Sequence, residues 1–283
     1  MDLPPLDSRT HLYKWTKRIL KAYNLRPRES MGQSFLINPK VVRDFTTELK
    51  THGVKTGELV CEVGSGLGVV TYALLKEGYR VLAIELDEKL AELTSRVTAG
   101  YPGAIVVNAD ALDLKYLCKV VVSNAPYYIS SDLLIKVARE SSVELALIVL
   151  QKEVVDRVCA KPNTKEYGRL SIIMQLLFNT KPEALYSPRD FYPAPKVISR
   201  LLVLERKNPY TSIYRRVEEL TRVLFNERRK RAIKVIEKNL GLRRDELEPI
   251  GVSSEARVYQ LPPQAFIELA KLVELYEAPT SSK

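Results

Sequence analysis

Asn124, Ala125, Pro126 and Tyr127 follow an apolar run, Val120 to Val122, whose composition reads as a buried strand. Asn and Pro do not continue a central strand in the ordinary way, so a stiff polar and aromatic loop begins at its carboxyl end. In open α/β sheets that end is where ligands sit. The residue types suit one task. An amide oxygen from Asn124, a backbone stiffened by Pro126 and a flat ring from Tyr127 can hold a planar base by its exocyclic amine. Taken alone, such a tetrapeptide is more often a turn after a strand.

A second loop able to meet a ligand is Gly64-Ser65-Gly66-Leu67-Gly68, between the apolar Leu59–Val63 and a helical pattern starting at Val69. Glycines joining a strand to a helix let backbone approach a ligand closely. The spacing departs from the dinucleotide fingerprint Gly-x-Gly-x-x-Gly, because Val69 or Thr71 stands at the third place. Glu85 ends the next strand, placed to accept hydrogen bonds from both ribose hydroxyls of an adenosine. Asp110 ends the strand after that, placed to accept from the adenine amine. Two carboxylates and no phosphate-binding Lys suit a nucleoside without phosphates. S-adenosylmethionine (SAM) is such a ligand, and its sulfonium is cationic.

These loops need a sheet to hold them. Apolar runs at Leu59–Val63, Val81–Glu85, Ile105–Asn108, Val120–Val122 and Leu145–Leu150 alternate with helical patterns at 69–77, 90–97 and 132–140. That alternation predicts an α/β fold with a parallel sheet covered on both faces. Ahead of it, Thr10 to Tyr23 has helical spacing (Leu12, Trp15, Ile19, Leu20, Tyr23) with Lys14, Lys17, Arg18 and Lys21 interleaved. Its basic face reads as solvated surface or as an RNA contact. A glycine-bearing loop runs from Arg26 to Leu36, and Pro39 to Lys50 reads as a helix. Beyond Gln151 the pattern predicts a helix to about Cys159, a polar loop over 161–168, a helix over 170–178 and a strand over 201–204. From Pro209 onward it is only helical, and includes the cations Arg228, Arg229, Lys230, Arg231 and Lys234 within two helical turns. The period changes near Lys207, which predicts an N-terminal extension over 1–25, a sheet domain over 26–207 and a smaller all-helical domain over 208–283.

The chain has 283 residues, 46% hydrophobic, with 44 Lys and Arg against 34 Asp and Glu, a net charge of +10. This excess favours a polyanionic partner, nucleic acid first. Cys61, Cys118 and Cys159 form no close pair, so no disulfide framework is expected and a reducing cytosol fits best. With only two histidines, and no cysteine spacing of the zinc type, no metal is expected. No apolar run approaches the ~20 residues of a membrane span, and the N-terminus has no signal-peptide pattern, so the cytoplasm is expected.

Taken in order, these motifs resemble those of the SAM-dependent ribosomal RNA adenine-N6 dimethyltransferases of the small-subunit type, and the likeness covers nearly the whole chain. Gly32-Gln33-Ser34-Phe35-Leu36 resembles that family's N-terminal motif, which closes over the cofactor. Glu62 to Gly68 resembles its glycine motif, and Ile84-Glu85-Leu86-Asp87 its ribose-binding acidic motif. Asn124-Ala125-Pro126-Tyr127 resembles its catalytic Asn-Leu-Pro-Tyr, and Phe191 to Val197 its Phe-x-Pro-x-Pro-Lys-Val. Phe225 to Lys230 and Arg257 to Phe266 resemble its helical C-terminal domain.

The resemblance implies a doubly wound Rossmann-like methyltransferase sheet and a cofactor held by Gln33, Ser34, Leu36, Gly64, Gly66, Glu85, Asp110 and Asn124. It implies catalysis by Asn124, Ala125, Pro126, Tyr127 and Phe191, the two rings stacking on opposite faces of an extruded adenine. The Asn124 side-chain oxygen and the Ala125 carbonyl would each accept one N–H of the amine, favouring a pyramidal nitrogen. The basic run Arg228 to Lys234 would grip RNA backbone. The expected activity is N6,N6-dimethylation of adenosines in an immature small ribosomal subunit by a monomer. Alternatives are a large-subunit rRNA adenine methyltransferase and a non-catalytic assembly factor. Ala125 departs from the usual Leu, Ile198-Ser199-Arg200 stands where an Asp-Ser pair is common, and the extension before Arg26 is longer than many members have.

Overall fold

The apolar runs assemble, in a computed structural model of the protein, into one seven-stranded sheet. The described residues are 2–28, 32–250 and 252–277. Met1, Glu29, Ser30, Met31, Gly251 and residues 278–283 lie outside them, although the expected Arg26–Leu36 loop and the expected domain ranges include them. The strands are β2 (Leu59–Val63), β3 (Arg80–Glu85), β4 (Ala104–Asn108), β5 (Val120–Asn124), β6 (Leu145–Gln151), β7 (Phe178–Tyr186) and β9 (Ser199–Arg206), in the order β4-β3-β2-β5-β6-β9-β7. β4, β3, β2, β5 and β6 pair in parallel, and β9 runs antiparallel to β6. Two short strands, β1 (Phe35–Leu36) and β8 (Phe191–Tyr192), form a separate antiparallel ladder, Phe35 opposite Tyr192 and Leu36 opposite Phe191.

The central strands read as continuous apolar runs because both their faces are covered. Cys61, Val121, Val122 and all residues from Ala146 to Leu150 are completely buried. The helices that cover them are α2 (Pro39–Thr51), α3 (Val69–Lys76), α4 (Glu88–Thr98) and α5 (Ser130–Arg139). Asp87 caps α4 by accepting from the Lys89 and Leu90 amides. Strand order turns back between β2 and β5, and the crevice at such a reversal is the usual ligand site. β7 has no counterpart in the sequence expectation. Pro182 interrupts its pattern, and the strand lies at the sheet edge, where a missing donor is tolerated.

The chain forms two units. One takes the chain to Val155 and then Lys181–Glu205; the other takes Asp156–Thr180 and the chain from Arg206. This differs from the expected division in two places. The N-terminal helix α1 (Arg9–Ala22) is no separate extension, because Leu12, Trp15, Ile19 and Leu20 belong to the core of the sheet unit. Asp156–Thr180, up to and including the first residues of β7, falls in the unit that holds the C-terminal helices. α7 (Arg169–Leu177) packs on α8 (Ser212–Leu224) and α11 (Pro263–Glu277), and its Ile172 shares a core with Leu220, Leu224 and Phe266. α6 (Lys152–Val158), α9 (Ala232–Leu240) and α10 (Arg244–Leu247) are the remaining helices. No helix of the described residues is long and apolar enough to cross a membrane.

The cysteine expectation is corrected. Cys61 lies in β2 and Cys118 just before β5, and the parallel pairing of those strands brings them to a Cα separation of 5.7 Å in a disulfide. Cys159 takes no part in the disulfide.

Candidate active site

The turn after β2 carries Gly64 at φ 75° and Gly66 at φ 57°, a left-handed conformation that costs glycine nothing. A Cβ on Gly64 would stand 3.3 Å from Cδ of Pro126, so a side chain there would press the glycine turn against the loop after β5. The Gly66 amide donates to Glu85 Oε2 at 2.8 Å, and the Asp87 amide donates to Oε1 at 3.0 Å. Burial pushes the Glu85 carboxyl above the usual carboxylate range, and these amides counter it. Glu85 is therefore fixed in one orientation at the end of β3, with remaining lone pairs for hydroxyl donors. Asn108, which the sequence reading missed, pins the same turn: its Nδ2 donates to the carbonyls of Glu85 (2.9 Å) and Leu86 (3.0 Å). The available signal was an Asn at a strand end, next to the expected ligand loops. Asp110 is exposed at the end of β4, and its Oδ1 accepts from the Leu112 amide.

Glu62, at 2% exposure, lies on the floor of the cleft. Thr71 Oγ1 donates to its Oε2 at 2.5 Å, and burial pushes its carboxyl up to about 8. Glu62, Glu85 and Asp110 line the cleft, and among the described residues no Lys or Arg does. Three carboxyl side chains and no cation fit an adenosine that carries a positive sulfonium and no phosphate.

On the other wall, Asn124 Nδ2 donates to the Ser34 carbonyl at 3.4 Å, which leaves Oδ1 as an acceptor. Ser34 Oγ donates to the Pro193 carbonyl at 2.7 Å. Ala125 is buried, its amide donating to the Val149 carbonyl, and the Pro126 carbonyl accepts from Ile129. The Tyr127 hydroxyl shares a 2.7 Å hydrogen bond with Ser199 Oγ, and burial raises its pKa, so the phenol stays neutral. Ser199 thus anchors Tyr127, a partnership that sequence order, 72 residues apart, does not reveal. Tyr128, 49% exposed, also lines the cleft.

Ser34, Leu36, Gly64, Gly66, Glu85, Asp110, Asn124, Ala125, Pro126 and Tyr127 are therefore brought to one cleft. Two expected residues behave differently. Phe191 is 2% exposed and belongs to the sheet core, not the cleft lining. Successive side chains on a strand point to opposite faces, and β8 turns Phe191 inward while Tyr192 stays half-buried. Gln33 lines the cleft, but its Oε1 accepts from the Arg28 backbone amide at 2.9 Å while the Gln33 backbone N–H donates to the Arg28 carbonyl. Its side-chain oxygen closes a loop.

The basic run is also corrected. Arg228 to Arg231 form a turn between α8 and α9, not a helix, because this stretch pairs with residues 256–259 through backbone bonds. Arg228 donates to the carbonyls of Lys165 (3.1 Å) and Thr164 (3.2 Å) and lies over the Tyr259 ring. Lys230 pairs with Glu227, and Arg231 with Glu255. Arg229 and Lys234 are exposed and form no salt bridge with a described carboxylate.

The sequence profile of a family described as "Ribosomal RNA adenine dimethylase" matches residues 24–275. A protein of Thermococcus sibiricus named "Probable ribosomal RNA small subunit methyltransferase A" is 34% identical over 260 residues, covering 88% of this chain and 93% of that one. The "Ribosomal RNA small subunit methyltransferase A" of Rhodospirillum rubrum is 34% identical over 284 residues, covering 96% and 93%. Among solved structures, a dimethyladenosine transferase from Plasmodium falciparum superposes with a TM-score of 0.74 at 24% identity, covering 86% of this chain and 98% of that one. The 23S rRNA methyltransferase ErmE does so with a TM-score of 0.65 at 25% identity, covering 85% and 99%.

Proposed function

Since this chain belongs to the ribosomal RNA adenine dimethylase family, we propose that it dimethylates adenosines of the small ribosomal subunit at N6, with Asn124 holding the reacting amine. The protein is an rRNA adenine dimethyltransferase that depends on SAM, and its fold is a Rossmann-like methyltransferase sheet. Small-subunit specificity is supported by the names of the two relatives above. A cytoplasmic setting is supported by the rRNA substrate.

The observation that carries the catalytic reading is the Asn124 amide, whose nitrogen is held by the Ser34 carbonyl so that its oxygen is the free end. An adenine amine is a poor nucleophile because its lone pair is delocalised into the ring. Asn124 Oδ1 and the Ala125 carbonyl each accept one N–H and favour a pyramidal nitrogen. This is positioning plus electrostatics aimed at the transition state. Ala125 acts through its backbone, so the missing Leu side chain does not remove the acceptor. Tyr127, anchored by Ser199, offers its ring to the base. Bound SAM supplies an electrophilic methyl group on a cationic sulfur. Glu85 and Asp110 hold its adenosine, and the glycine turn lets the backbone approach it closely.

The test uses SAM labelled in its methyl group. Immature small and large subunits are offered separately and their nucleosides analysed. Dimethyladenosine in the small subunit alone is expected; label in the large subunit would overturn the assignment.

A further inference from the structure

Helix α1 lies ahead of the residues that the family profile matches, 24–275. Its apolar side, Leu12, Trp15, Ile19 and Leu20, is buried in the sheet unit. Its outer side carries Arg9, His11, Lys14, Lys17, Arg18 and Lys21 and no acid. His11 is held by Asp7 at 2.6 Å and Arg18 by Asp2 at 2.8 Å. Lys14, Lys17 and Lys21 are exposed and form no ion pair with a described carboxylate. They sit at i, i+3 and i+7, so they share one face of the helix, where like charges repel. A merely solvated face gains by mixing signs, and this one does not.

The stripe is continuous with the catalytic wall. Lys17 Nζ lies 5.6 Å from the Tyr13 ring centre, and Tyr13 meets Tyr192 edge-on with ring centres 5.6 Å apart. Tyr192 belongs to the β1–β8 ladder, next to the Pro193 carbonyl that Ser34 binds. Seven residues of helix span about 10 Å, the rise of about three nucleotides along one strand of a helical duplex.

We propose that α1 is an RNA-docking arm: the phosphates flanking the target adenosine lie along Lys14, Lys17 and Lys21, leading the strand past Tyr13 toward the cleft. The contact is to phosphate, so it positions the substrate without reading its sequence. The proposal rests on rRNA being the substrate.

The test compares three full-length proteins with whichever ribosomal subunit the wild type methylates, so a mistaken choice of subunit does not enter the result. Lys14→Gln/Lys17→Gln/Lys21→Gln removes the stripe. Lys50→Gln/Lys119→Gln/Lys181→Gln removes the same charge from exposed lysines of the same unit that are paired with Glu77, Glu144 and Glu183. Lys14→Arg/Lys17→Arg/Lys21→Arg keeps the charge. The first variant is expected to flatten the dependence of RNA affinity on salt by about two to three units of slope. It should also raise KM for the subunit while leaving kcat and SAM affinity unchanged. The Arg variant should restore the wild-type slope, and the second variant should keep most of it. An unchanged slope in the first variant, or an equal loss in the first and second, would overturn the proposal. If the first variant lost binding to anionic vesicles or to an acidic protein while keeping its RNA affinity, that would overturn the proposal too.

Discussion

Asn124 donates its side-chain nitrogen to the backbone carbonyl of Ser34, 90 residues away in sequence, at 3.4 Å. One hydrogen bond thus settles which end of the Asn124 amide is free, and it joins the catalytic loop to the N-terminal motif. Replacing Asn124 with Ala removes the amine acceptor and this tie together. Turnover is expected to fall by about a hundredfold or more, the scale of one oriented polar group. RNA affinity should change little. Near wild-type turnover would rule out the amine-holding role.

Glu85 is orientated by the amides of Gly66 and Asp87, so its free lone pairs have a fixed direction. Glu85→Ala is expected to weaken SAM binding by roughly 1–3 kcal/mol, as the loss of a buried hydrogen-bond partner would. Calorimetry that returns the wild-type affinity would remove Glu85 from the cofactor site.

Glu62 makes stability depend on pH. Its carboxyl is pushed up to about 8 from an ordinary 4.5, so between those values the folded chain holds a proton that the unfolded chain releases. Stability therefore falls as pH rises through that window, each pH unit being worth about 1.4 kcal/mol at most. Glu62→Gln keeps an acceptor for Thr71 and has no proton to lose. Its stability relative to wild type should rise steadily from pH ~5 to pH ~8 in denaturant titrations. A constant difference across that range would show that Glu62 is not buried as a neutral acid.

Arg228 and its neighbours should separate by function. Arg228→Ala breaks two bonds to carbonyls and a ring contact, and is expected to lower stability by roughly 1–3 kcal/mol with the salt slope of RNA binding unchanged. Arg229→Gln/Lys234→Gln should do the reverse, flattening that slope by about one to two units at unchanged stability. If Arg228→Ala flattened the slope and left the melting temperature alone, its role would be contact with RNA after all.

The Cys61–Cys118 bond closes a loop of 57 residues' separation, and chain-entropy reasoning assigns such a closure about 4 kcal/mol. Thiol titration in denaturant should find one titratable thiol, that of Cys159, before reduction and three after it. A reductant should lower the melting temperature. Three titratable thiols without reduction would show that the bond does not form.

The parallel strands are legible from residues alone, because runs such as Val120 to Val122 are apolar on both faces and end in ligand-type loops. Glu85, which ends a strand, and Asp110, two residues past the end of one, are legible for the same reason. What is not legible depends on partners distant in sequence. Two-residue strands such as β1 and β8 have no period to read, so the inward turn of Phe191 cannot be foreseen. Cys61 meets Cys118 only because β2 and β5 are neighbours in the sheet. The stretch from Arg228 is held in a turn by backbone bonds to residues 256–259, and the Arg228 side chain is taken up by the carbonyls of Thr164 and Lys165; no count of cations along 228–234 contains that information.

The β1–β8 ladder gives the two ligands a common mechanical part. Ser34 and Leu36 face the cofactor cleft, and the opposite rung carries Tyr192 and leads into Pro193, beside the arm assigned to the RNA strand. By thermodynamic reciprocity, whatever factor the bound cofactor adds to the grip on RNA, RNA adds to the grip on the cofactor. Adding two methyl groups to one base requires a spent cofactor to be exchanged in between. Each exchange slackens the hold on the strand by that same factor. Tight coupling through the ladder would therefore favour release after one methyl, and a looser ladder would favour completing both in a single encounter.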